Sequence, residues 1–263
     1  MRSAGGRRAL ALCVLLPACG PAGEPRGDRS GSTTVAVAVA ANFAAVHGEL
    51  ARRFETASGH TVTTSPGATG QLYAQIVNGA PFDVLLAADE ERPRRLEEAG
   101  MAVAGTRFSY AIGRLVLYGP GLDSVRAGGQ DLLAEGAIER IAIANPRTAP
   151  YGAAAEDLLA RIGAWPAVRK RVVRGESIGQ AFQFVQSGAA EVGLVALSQV
   201  VGRPPTSYWL VPTGLHGPIR QDAVLLARAA DNAGARAYLE YLRGDEARGM
   251  IQRFGYTTEP PPS

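Results

Sequence analysis

The chain has 263 residues, with 27 Lys and Arg against 24 Asp and Glu and a sequence pI near 9.1. Arg2, Arg7 and Arg8 stand in the first 18 residues without an acidic counterpart, so removing these three leaves 24 basic residues against 24 acidic ones. The basicity belongs to the N-terminal segment, no Lys/Arg block interleaved with aromatics follows it, and the balance argues against a nucleic-acid partner.

Residues 1–18 combine those arginines with an apolar run over 9–16 and a small residue at Ala18, which predicts an export signal too short to span a membrane stably. Leu16-Pro17-Ala18-Cys19 resembles the bacterial lipobox, in which the cysteine is acylated. Cys19 is therefore the expected lipidation site, with ordinary cleavage and an unmodified cysteine as the alternative, and lipid the only expected link to a membrane. Cys13 lies inside the discarded segment, which leaves no pair for a disulfide. Residues 19–33 are rich in Gly, Pro, Ser and Arg and read as a flexible tether.

The remaining chain alternates strand and helix. Val/Ala-rich residues 33–40 predict a strand, 43–58 an amphipathic helix stopped by Gly59, 60–65 a strand, and 71–78 a helix stopped by Gly79. A short buried strand at 83–87 precedes a charged helix at 89–99. A long apolar strand covers 108–118, interrupted at Gly113. Strands follow at 141–144, 171–173, 192–196 and 223–227, with helices at 153–162, 178–186, 233–242 and 245–254. Short apolar strands between helices predict an α/β fold with parallel sheets covered on both faces. Two α/β domains are expected, joined by crossover strands near 108–118 and 219–227. Residues 34–113 and 220–259 would form lobe 1, and 114–219 lobe 2.

Strand ends meet helix starts at Ala41-Asn42, Gly67-Ala68-Thr69-Gly70 and Pro150-Tyr151-Gly152, all without charge, and again at Ser177-Ile178-Gly179. First-turn N–H groups have no intrahelical partner and carry the positive end of the macrodipole, so several converging helix starts bind a compact oxyanion without Lys or Arg. Each residue also has a plainer reading. Asn42 and Thr69 suit N-caps, Tyr151 a packed aromatic, Ile178 the core, and the acids at 89–91 complement a helix start.

Taken in order, Ala40-Ala41-Asn42-Phe43, Gly67-Ala68-Thr69-Gly70, Gly79-Ala80-Pro81-Phe82-Asp83-Val84, Ala87-Ala88-Asp89, Ile143-Ala144-Asn145-Pro146, Ala149-Pro150-Tyr151-Gly152 and Gly193-Leu194-Val195-Ala196-Leu197 resemble the periplasmic molybdate-binding proteins of ABC importers. The resemblance runs from about Thr34 to Tyr256. It implies a two-lobed periplasmic-binding-protein fold, an exported monomer, and an importer permease with its ATPase as partner. It implies molybdate or tungstate as cargo, with molybdenum held as the oxyanion, and no cofactor. It places Asn42 and Thr69 on one lobe against the anion, with Ala41 and Ala68 lining the site. The Thr69 hydroxyl is expected to donate to the anion, while Tyr151 and Ile178 offer backbone N–H groups from the other lobe. Ala196 stands where some relatives place a tyrosine hydroxyl, and Ala41 where some carry a hydroxyl.

Rival readings are an enzyme and a surface adhesin. Gly175-Glu176-Ser177-Ile178-Gly179 fits a nucleophile elbow, yet His216 is the only histidine after Ser177 and Glu191 the only acid between them, so Ser177 is expected to be an N-cap. His47, His60 and His216 are scattered and give no metal-ligand spacing. Molybdate, tungstate and sulfate are fully deprotonated dianions that need donors only, whereas hydrogenphosphate needs an acceptor. Glu176, the one carboxylate at these junctions, is expected to face solvent. Sulfate stays open as an alternative cargo on the residues alone.

Overall fold

The computed structural model describes residues 32–121, 125–135 and 138–259, so the expected signal, Cys13, Cys19 and nearly all of the expected tether lie outside the described residues. The first strand, β1 (Thr34–Ala40), puts Val35, Val37 and Val39 on one face and the smaller Ala38 on the other, each face packed into a different apolar cluster. Helix α1 (Ala44–Ser58) buries Val46, Leu50 and Phe54, spaced at four residues, against the valine face. Gly59 ends it at φ 74°, donating its N–H to Glu55 O at 2.9 Å. There follow β2 (Thr61–Gly67), α2 (Thr69–Val77), β3 (Val84–Leu86), α3 (Glu91–Glu98) and β4 (Phe108–Gly113).

The chain then enters a second sheet through Arg114 alone. Its elements are β5 (Leu115–Tyr118), α4 (Val125–Ala134), β6 (Ile141–Ala144), α5 (Pro150–Arg161), α6 (Trp165–Val168), β7 (Val172–Gly175), α7 (Ile178–Gln186), β8 (Val192–Ala196) and β9 (Tyr208–Leu210). β10 (Ile219–Leu225) returns to the first sheet, and α8 (Ala233–Arg243) and α9 (Asp245–Arg253) pack on its valine face. The strand orders are β2-β1-β3-β10-β4 and β7-β6-β8-β5-β9.

Both sheets are mixed, which corrects the expectation of purely parallel ones. β1 runs parallel to β2 and β3, and β6 to β7 and β8, as short strand-helix-strand units require. β10 is antiparallel to β3 and β4, and β5 to β8 and β9, because these strands arrive from the opposite lobe and run back through the sheet they enter. The break in the long run expected at 108–118 is therefore a change of sheet.

Three elements went unforeseen: α4, α6 and β9. Gly128-Gly129 masks α4, and Gly128 departs from helical geometry. A Cβ at Gly129 would lie 2.5 Å from the Trp209 ring of β9, so glycine here permits a close helix-strand approach. α5 begins three residues before its expected start because Pro150 occupies its first position, where no N–H is needed. The strand expected at 223–227 is β10, and residues 227–229 form a 3₁₀ turn instead.

His47 of α1 is fully buried against Tyr238, with Nδ1 at 3.2 Å from Thr64 Oγ1 and Nε2 without a partner among the described residues. Burial disfavours the imidazolium and lowers its pKa from 6.5 to about 4. Between those values the unfolded chain holds a proton that the folded chain refuses, so stability falls as pH drops through that window. The His47 share of that loss is about 3 kcal/mol when complete. Urea unfolding of His47→Leu at pH 7 and pH 4.5 should show a smaller acid loss than wild type. Equal losses in the two proteins would contradict this assignment.

Candidate functional site

The C-terminal ends of β1, β2, β6 and β7 deliver the chain to four junctions that meet between the lobes. Asn42, with Ala41, follows β1. Ala68 and Thr69 follow β2. Tyr151 follows β6 in the first turn of α5, and Ile178 follows β7 as the first residue of α7. All six expected site residues line one small chamber of about 10 Å³, together with Ala40, Gly67, Ala88, Ala149 and Pro150. Asn42, Thr69, Tyr151 and Ile178 are buried. Among the described residues, no Asp, Glu, Lys, Arg or His lines this chamber.

The amide N–H groups of Asn42, Thr69, Tyr151 and Ile178 have no hydrogen-bond partner among the described residues. Each has a local reason. Thr69 and Ile178 are first helical residues and Tyr151 is second, ahead of the first possible intrahelical bond. Asn42 sits in the turn between β1 and α1, where the flanking Ala41 and Phe43 amides are taken by Gly67 O at 2.9 Å and Ala40 O at 2.8 Å. Gln199 pins the α7 start by donating Nε2 to Ile178 O at 3.2 Å while its Oε1 accepts from Ala196 N at 3.0 Å. Ala196 itself is fully buried and does not line the chamber.

Neither Asn42 nor Thr69 is an N-cap, which removes their plainer reading. Phe43 and Ala68 hold those positions without side-chain caps. Thr69 Oγ1 accepts from Ala88 N at 3.0 Å, so its hydroxyl proton is left to donate. Ser177 does cap α7, its Oγ accepting from Gln180 N at 3.2 Å, as expected. Glu176 is exposed, as expected, and accepts from Gln71 Nε2 at 3.3 Å across the cleft.

Behind the chamber lies a buried polar web that the sequence reading missed. Asn42 Nδ2 donates to Gln221 Oε1 at 2.9 Å and to Tyr256 Oη at 3.0 Å. Gln221 Nε2 reaches Tyr151 Oη at 3.3 Å, and Tyr110 Oη lies 3.1 Å from Gln221 Oε1 and 2.9 Å from Ala87 O. Ser198 and Tyr256 hydroxyls both lie 2.9 Å from Asn42 O. Burial pushes the Tyr110, Tyr151 and Tyr256 phenols upward, so all three keep their protons at neutral pH. The sequence signal was faint, because Gln221 stands between Arg220 and Asp222 in β10 and a polar residue there is not conspicuous. At Gly113 an added Cβ would stand 2.1 Å from Tyr151 Oη, so the crossover needs glycine for this tyrosine to reach the web.

The lobes touch around the chamber. Ala40, Ala68 and Ala88 join the apolar cluster of the second lobe, and Gly70 N donates to Thr148 O at 2.8 Å. A Cβ at Gly70 would lie 3.0 Å from Thr148 Cα and O, so only glycine allows this approach without a shift. An outer groove of about 420 Å³, which shares Ala88 and Pro150 with the chamber, is lined by Asp89, Arg92, Asp157 and Arg220, among others. Most of its charges are paired: Arg92 with Asp89, Glu91 with Arg95, Asp157 with Arg161 and Arg220 with Glu259.

Residues 35–257 match the family profile of bacterial extracellular solute-binding proteins. The chain is 43% identical to the molybdate-binding protein ModA of Rhodobacter capsulatus, over 97% of this chain and 96% of that protein. It is 49% identical to ModA of Azotobacter vinelandii over 84% of this chain and 89% of that one. The solved periplasmic molybdate-binding protein of Azotobacter vinelandii superposes with a TM-score of 0.81 at 39% identity, covering 86% of this chain and all of that structure.

The contact at Gly70 gives a test of lobe closure. Gly70→Ala should cost the closed arrangement about 1–3 kcal/mol through overpacking. Small-angle scattering should then give a larger radius of gyration than wild type, whereas superimposable profiles would contradict the close approach.

Proposed function

Because the chain belongs to the bacterial extracellular solute-binding proteins, and among them to the molybdate-binding proteins, we propose that it captures one tetrahedral dianion, molybdate or tungstate, between its lobes. It hands that anion to the permease and ATPase of an ABC importer. The observation that carries this reading is the chamber itself: four amides of buried residues, two from each lobe, without partners among the described residues, and no charged side chain among those lining it. Partial positive charge at helix starts suits a desolvated dianion. The Thr69 hydroxyl, whose oxygen already accepts from Ala88 N, adds a donor from the side chain. With no carboxylate in the lining, nothing of that kind accepts the proton of hydrogenphosphate. Preference for molybdate over sulfate rests on the relatives at 43% and 49% identity and, physically, on fit, since a larger oxyanion sets donor distances that a smaller one does not meet.

The same site does not serve as a hydrolase in this reading, because the Ser177 hydroxyl is engaged as a helix cap. The mature chain works as an exported monomer, tethered through acylated Cys19. Cys19→Ser should move the protein from the membrane pellet to the soluble exported fraction with its anion affinity unchanged. A variant that still pellets with membranes would sink the anchor.

Calorimetry on refolded protein with molybdate, tungstate, sulfate and hydrogenphosphate tests the cargo. Molybdate and tungstate should bind one to one and more tightly than sulfate, with hydrogenphosphate weakest. Thr69→Val should cost roughly 1.5–3 kcal/mol of binding free energy by deleting a charge-assisted donor. Ile178→Val should cost far less because its N–H remains, and Ile178→Pro should be severe because the donor is gone. Equal binding by wild type, Thr69→Val and a folded Ile178→Pro variant would place the anion elsewhere.

A further inference from the structure

We propose that Gln221 is a positioning residue that turns the Asn42 side-chain amide so that its NH₂ group is the one left for the anion. This inference rests on the oxyanion reading above and deepens it. Gln221 is fully buried on β10, at the point where the β10–β4 register shifts between Gln221 and Asp222. Such a bulge re-aims a side chain. From there Gln221 contacts Asn42 and Tyr110 of the first lobe and Tyr151 of the second.

The oxygen and nitrogen of an amide are distinguished by the partners they find. With Gln221 Oε1 directed at Asn42 Nδ2, two groups are left in conflict. Tyr110 has one proton for two acceptors, Ala87 O at 2.9 Å and Gln221 Oε1 at 3.1 Å. Asn42 Oδ1 is buried without any partner among the described residues. Exchanging oxygen and nitrogen in both amides removes both conflicts at the same heavy-atom positions. Tyr110 then donates to Ala87 O and accepts from Gln221 Nε2. The second Nε2 hydrogen goes to Asn42 Oδ1, and Tyr151 donates to Gln221 Oε1. Tyr256 donates to Asn42 Oδ1, while the Ser198 hydroxyl serves Asn42 O.

Every buried polar atom of the web then has a partner except Asn42 Nδ2, which sits on a residue lining the chamber. A buried acceptor facing a dianion is repelled, whereas a buried donor there is satisfied by it. The direction of proton donation, from Tyr151 through Gln221 to Asn42, adds a second-lobe contact to the orientation that Tyr110 and Tyr256 set from the first. Site polarity and lobe closure thus share one side chain.

The test uses full-length protein labelled with ¹⁵N-asparagine, with the Asn42 side-chain signal identified by its loss in Asn42→Asp, and molybdate as the probe. Molybdate should shift an Asn42 Nδ2 proton downfield, and Gln221→Met should bind molybdate at least about tenfold more weakly in calorimetry, the loss of a charge-assisted donor. An unmoved Asn42 NH₂ signal in wild-type protein that binds molybdate would overturn the inference and leave the oxyanion function standing. Wild-type affinity in a folded Gln221→Met variant would overturn it too. If Gln221→Met does not fold, the wild-type spectrum decides alone. Failure of wild type to bind molybdate at all would remove the oxyanion reading, and this inference with it.

Discussion

Backbone N–H groups at the start of a helix have no partner within that helix, and burying them without one is costly. This chain buries four such groups, or their equivalent in a turn, around one small chamber. The surrounding architecture follows from that constraint. Two parallel strand-helix units in each lobe are needed to bring strand ends and helix starts to one level. Small residues at 40, 41, 67, 68, 88 and 149 are needed to let the backbone approach. The lobes must also meet, because donors come from both.

An anion held by dipoles differs from one held by Lys or Arg. Full charges close to the ligand attract anions of any shape, whereas oriented amides act only at hydrogen-bond distance and so read geometry. The outer groove illustrates the contrast, since its arginines are already neutralised by Asp89 and Glu259. The web behind the chamber has a different task. Its phenols stay protonated through burial, and its Gln221 amide hydrogen-bonds the Asn42 side chain of the lining.

The lining was legible in the sequence because it depends on backbone. A strand end running into an uncharged helix start exposes N–H groups whatever the side chains are, and Ala41, Asn42, Ala68, Thr69, Tyr151 and Ile178 were found on that basis together with a family resemblance. Local grammar also placed the ends of α1 at Gly59 and of β6, α7 and β8. What escaped depends on distant partners. Gln221, Tyr110, Tyr256 and Ser198 are polar residues far apart in the chain, and nothing in their neighbours announces that they meet. Strand direction in β5 and β10 follows from the crossing between lobes, which periodicity does not encode. α4 was hidden because Gly129 serves a contact with Trp209 at the expense of helix propensity. The caps at Phe43 and Ala68 show a further limit: Asn42 and Thr69 suit capping by type, yet they sit one residue from the position that caps.

The central claim, that a dianion is enclosed by amides from both lobes, is tested most directly by a crystal structure of the tungstate complex, located by tungsten anomalous scattering. The account predicts a single tungsten in the chamber, with oxygens about 2.7–3.2 Å from the amide nitrogens of Asn42, Thr69, Tyr151 and Ile178. Tungstate bound instead beside Arg92 or Arg220 in the outer groove, with the four amides uncontacted, would contradict it.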